Sequence, residues 1–122
     1  MKLFKNLLLL LLLSCSVTYS FGQENEREIL NRFFELYKES PEKALDYIYN
    51  TNDWINSKAD NVRKLKGQLN QFTDLVGECY GEEYITSGQL GDSYVTYVYL
   101  MKYDRQPVRF TFEFYRPKDI WM

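Results

Sequence analysis

Residues 93–115 read Ser-Tyr-Val-Thr-Tyr-Val-Tyr-Leu-Met-Lys-Tyr-Asp-Arg-Gln-Pro-Val-Arg-Phe-Thr-Phe-Glu-Phe-Tyr, and this stretch decides the fold. Val108, Phe110, Phe112 and Phe114 alternate with Arg109, Thr111, Glu113 and Tyr115, the period of a strand with one buried face. Ser93 to Tyr103 is a longer strand rich in Tyr and Val, and Asp104-Arg105-Gln106-Pro107 turns the chain between them. A hairpin turning at Arg105-Gln106 pairs Tyr103 with Val108, Met101 with Phe110, Tyr99 with Phe112 and Tyr97 with Phe114. A slip of one residue would move either set to the other face. One face then holds the three Phe with Val95, Met101, Tyr97, Tyr99 and Tyr103. The other holds Thr96, Val98, Leu100 and Lys102 beside Arg109, Thr111 and Glu113.

Both faces carry a tension. Tyrosine hydroxyls on a buried face need partners, so Tyr97, Tyr99 and Tyr103 imply a polar-lined cavity or tips that reach its rim. These three are the candidate ligand-lining residues, for a small hydrophobic ligand. Arg109 is a candidate anion contact, its alternative being an ion pair with Glu113 or with a partner chain. Val98 and Leu100 on the outer face call for a cover, most simply a second copy of the chain in a homodimer.

Upstream, Glu82 to Ser87 reads as a first short strand, followed by a turn at residues 88–92. Val62, Leu65, Leu69, Phe72 and Val76 step by three and four, the stripe of an amphipathic helix that Asp60 would cap and Gly77 would end. Trp54, in the polar linker before it, is expected to plug one end of the core. Ser40-Pro41 starts another helix running to about Tyr49, and Glu24 to Glu39 forms a helix with a broad apolar face. Arg63, Lys64 and Lys66 read as a solvated face. Downstream, Pro117 ends the last strand. Ile120-Trp121-Met122 reads as the start of a fourth that stops almost at once, as in a domain cut short there.

Lys2 and Lys5, then seven consecutive Leu from Leu7 to Leu13, then Ser20-Phe21-Gly22, make an export signal over residues 1–22. The apolar run is far shorter than the ~20 residues of a membrane-spanning helix. The remainder, residues 23–122, is one domain with no transmembrane span, released to the periplasm or medium. Leu12-Leu13-Ser14-Cys15 resembles a lipobox, which implies the alternative of a lipid anchor on Cys15. If Cys15 leaves with the signal, Cys79 is alone in the released form and cannot form an internal disulfide: it reads as a buried small apolar residue at a strand start, the alternative being an intermolecular bridge or a reactive thiol.

The chain has 15 Lys and Arg against 17 Asp and Glu, with no His. Acidic balance argues against nucleic-acid binding. The missing His removes Ser-His-Asp and Cys-His nucleophiles and most zinc sites, so no catalytic residue, metal ligand or cofactor is assigned.

Helices followed by a twisted antiparallel meander make an α+β layout: N-terminal helices packed on a curved sheet of three to four strands. The order helix, Pro-started helix, helix, then Tyr- and Phe-alternating strands resembles the cystatin-like, nuclear-transport-factor-like superfamily, in which helices close a curved sheet into a cone. Tyr103 to Phe110 is also similar to small exported bacterial proteins. The superfamily resemblance implies a binding or dimerisation module, or a small-molecule isomerase or dehydratase using an Asp or His with Tyr partners. Asp46 and Asp53 are conceivable bases, but each reads better as a helix-face or turn residue. The expectation is an exported non-catalytic binding or accessory domain. The alternatives are a Tyr/Asp enzyme and a protein-interaction or inhibitor module.

Overall fold

The computed structural model describes residues 25–122. The export signal and Cys15 lie outside the described residues. Among the described residues four helices precede three strands: α1 (Glu26–Glu39), α2 (Pro41–Tyr49), α3 (Asp53–Asn56), α4 (Ala59–Val76), β1 (Cys79–Gln89), β2 (Tyr94–Tyr103) and β3 (Pro107–Tyr115). The sheet is antiparallel, open and curled, in the order β1-β2-β3, which is the α+β class expected.

Local chemistry sets the helix ends. Asn25 and Glu28 form a reciprocal capping box at 3.0 and 3.1 Å, satisfying two orphan donors of α1. Ser40 serves two helices: its N–H donates to Leu36 at 2.8 Å, closing α1, and its hydroxyl accepts from Lys43 N, opening α2 with Pro41 in the first turn. The side chain of Asn52 caps α3, a short helix within the expected linker. That cap corrects the reading of Trp54. The helical turn points the indole outward, 68% exposed under the Lys58 ammonium, while Ile55 turns inward. Asp60 lies inside α4 and pairs with Arg63 at 3.0 Å instead of capping the helix. Gly77 ends α4 with φ of 85°, and a Cβ there would meet Asp104 at 2.9 Å, so this position requires glycine.

The hairpin keeps its expected faces but shifts by two residues: Met101 opposes Val108, Tyr99 Phe110, Tyr97 Phe112 and Val95 Phe114. An even shift preserves the side of every residue. Its cause is the turn. Asp104 N–H donates to Glu78 O at 2.8 Å and Arg105 N–H to Val76 O at 2.9 Å, so the chain follows the α4–β1 junction past Tyr103 before reversing.

The core lies between α1 and the inner face of β2 and β3. Ile29, Leu30, Phe33, Phe34 and Tyr37 pack on Val95, Tyr97, Met101, Phe112 and Phe114. Two parts escape this layer. β1 is exposed from Glu83 to Gln89, and Val76 is the one buried residue of α4. No helix among the described residues is long and apolar enough to cross a membrane.

Candidate functional site

The shallow seating of α4 leaves a gap. Its apolar stripe overlooks β3 without closing on it, so Leu65 and Leu69, with Leu45 and Ile48 of α2 and Ile55 of α3, line an open groove. The groove encloses about 630 Å³, its opposite wall being β3 from Arg109 to Tyr115, and Met122 stands at one end. That is the size range of small-ligand sites, and the lining is mostly apolar. Tyr49, also in the lining, has its hydroxyl pKa raised by burial.

The β3 edge carries its own chemistry. Tyr115 exchanges both backbone hydrogen bonds with Met122, at 2.9 and 3.0 Å. Trp121 packs against the core and lies under the Arg116 guanidinium, 4.7 Å from the ring centre, which holds this terminal rung in place.

A second cavity of about 370 Å³ lies between the end of α1 and the start of β1. Tyr37, Cys79, Glu82 and Tyr103 line it, with Lys38 beside them. The hydroxyls of Tyr37 and Tyr103 hydrogen-bond to each other. Burial pushes both pKa values up, that of Tyr37 the further because its bond to Tyr103 adds to the desolvation.

The four sequence-chosen residues are therefore spread over the molecule. Tyr103 lines the second cavity and Arg109 the groove. Tyr97 and Tyr99 line neither: the Tyr97 hydroxyl donates to Glu26 at 3.3 Å, and the Tyr99 ring sits 4.7 Å from Phe34 and 5.7 Å from Tyr84. Arg109 is exposed on the outer side, opposite Leu100, and Glu113 lies opposite Thr96. Val98 and Leu100 are half-buried on the outer face. Asp46 pairs with Lys66, and no cluster of metal-binding side chains occurs among the described residues. Sequence reasoning did not find the groove, because Leu45, Ile48, Leu65 and Leu69 have the periodicity of ordinary core. Nor did it find Glu82 on the inner face, since the reading ended at the paired strands β2 and β3. Comparison with protein families, curated proteins and solved structures finds no match to this chain.

The tyrosines make stability depend on alkaline pH. Burial raises Tyr37, Tyr49, Tyr97, Tyr99 and Tyr103 above the ordinary value. A raised folded-state pKa gives stability that is full below the unfolded value of about 10 and is lost as pH rises beyond it. The urea midpoint is expected to hold flat from about pH 8 to 9.5 and to fall by about pH 11. An unchanged midpoint at that pH would show the hydroxyls ionising freely in the fold.

Proposed function

We propose that this chain is a small exported, non-catalytic binding or accessory domain whose site is the groove between α2, α4 and the β3 edge. The observation that carries the reading is the 630 Å³ apolar cleft, left open by a helix that buries one residue of its stripe. Such a surface is costly to leave in water and specific in shape, which is what a binding site offers. The leader-like residues 1–22 support export, with release or a lipid on Cys15 as the two forms of the product.

The neutral fluorophore N-phenylnaphthylamine tests the site. It is expected to bind saturably, and Leu65→Arg to weaken binding by about tenfold or more, because a charge enters the apolar wall. Leu65 lies at the rim, 36% exposed, so the variant should fold with an unchanged far-ultraviolet spectrum. Equal binding by both proteins would remove the groove as the site.

A second reading, a small-molecule enzyme, draws on the other cavity, where Glu82 joins Tyr37, Tyr103 and Cys79. Association of two copies over Val98 and Leu100 is a separate proposal, supported by their half-buried state on the outer sheet face. Sedimentation of wild type against Leu100→Lys decides it: a dimer lost in the variant supports that interface, and a wild-type monomer at high concentration rejects it.

A further inference from the structure

We propose that the cavity between the end of α1 and the start of β1 binds a small zwitterion, with one ammonium and one carboxylate on an apolar body, the chemistry of a free apolar amino acid. This cavity shares no lining residue with the groove, so the two sites stand or fall separately.

The tyrosine pair leaves a donor to be answered. Tyr37 and Tyr103 are each 6% exposed, both line the cavity, and their hydroxyls bond to each other. Two hydroxyls carry two protons, and a single O–H···O bond uses one of them. Among the described residues neither oxygen has another hydrogen-bond partner. The Cys79 thiol in the same lining is a weak acceptor, and it donates toward Gly81 O at 3.9 Å. One buried O–H therefore remains for an acceptor within the cavity.

Two opposite charges stand around that donor. Lys38 brings an ammonium from the last turn of α1, and Glu82 brings a carboxylate from β1, opposite Met101 on the inner face. Neither side chain makes an ion pair or hydrogen bond among the described residues. Phe34 and Met101, both buried, supply the apolar part of the lining. A ligand carboxylate would accept the remaining tyrosine proton and pair with the Lys38 ammonium. A ligand ammonium would neutralise Glu82, and an apolar side chain would cover Phe34 and Met101. A simple anion would lie unpaired against Glu82, with exposed Glu78 at the rim adding to the repulsion. A simple cation would leave both Lys38 and the hydroxyl proton unanswered. The volume of about 370 Å³, at the small end of ligand sites, suits a molecule of this size.

Calorimetric titration of the folded chain with L-leucine, repeated with amide shifts as the readout, tests this. Binding is expected to saturate below about 1 mM, with shifts at Lys38, Cys79, Glu82 and Tyr103 and none at Leu65 or Leu69. N-acetyl-L-leucine, which lacks the ammonium, and L-leucinamide, which lacks the carboxylate, should each bind about tenfold more weakly or worse. Lys38 is exposed and Glu82 half-buried, so Lys38→Gln and Glu82→Gln should fold, and each should weaken L-leucine by a similar factor. Lys38→Gln should leave L-leucinamide unchanged, since that ligand has no carboxylate to lose. Absence of saturation, or shifts gathered in the groove, would overturn the proposal. Equal binding of L-leucine and either derivative would overturn it too, making the cavity a plain cation or anion site. N-phenylnaphthylamine binding in the groove is expected under all of these outcomes, so failure here is distinct from failure there.

Discussion

Phe33→Ala is expected to remove about 3–5 kcal/mol of folding free energy, the largest single loss available in this domain. Phe33 is 2% exposed at the centre of α1. Its ring lies 5.0 Å from Phe112, 5.3 Å from Phe34 and 5.7 Å from Tyr37, mostly edge-on, so one side chain joins the helical layer to β3. Alanine would lose the transfer energy of the ring, the edge-to-face contacts and the packing around the void. For a domain of this size, whose total stability is on the order of 5–10 kcal/mol, the variant should be largely unfolded on warming. Urea unfolding with Phe33→Leu as the volume-conserving control measures it. A loss below about 1 kcal/mol would mean that α1 is not seated on β3 as described.

The second large effect concerns Tyr37 and Tyr103, whose hydroxyls meet from opposite layers, each residue 6% exposed. Removing either hydroxyl strands the other in a buried place. Tyr37→Phe and Tyr103→Phe should each cost about 1–3 kcal/mol. Removing both leaves no unpaired group, so the double variant should cost less than the sum, by about 1 kcal/mol or more. Additive losses would show that the two hydroxyls each have other partners. Tyr37→Phe should also blunt the alkaline fall in stability, since the most strongly raised hydroxyl is then gone.

How much of this was legible in the sequence follows from what each pattern reports. The alternation of Phe110, Phe112 and Phe114 gave the right face because side chains in a strand can only go one of two ways. It could not give the register, because a shift by two leaves the alternation unchanged. That depended on Asp104 and Arg105 bonding the α4–β1 junction, a contact between residues about 30 positions apart. The α4 stripe likewise told which side of the helix faces inward, but not how closely it approaches. Depth of seating is set by the neighbouring layers, and here it separates a filled core from an open groove. Trp54 was misplaced because its burial turned on a one-turn helix capped by Asn52. The tyrosines of β2 did find the partners that burial demands: Glu26 for Tyr97 and Tyr37 for Tyr103. Those partners lie on α1, remote in sequence, so no local pattern could distinguish structural hydroxyls from ligand contacts.

The most direct test of the central claim is a map of amide chemical shifts as N-phenylnaphthylamine is added to the folded chain. A site in the groove predicts changes at Leu45, Ile48, Leu65 and Leu69 and along β3 from Arg109 to Tyr115, with Cys79 and Tyr103 undisturbed. Shifts gathered instead around Cys79, Glu82 and Tyr103, or none at all, would contradict it.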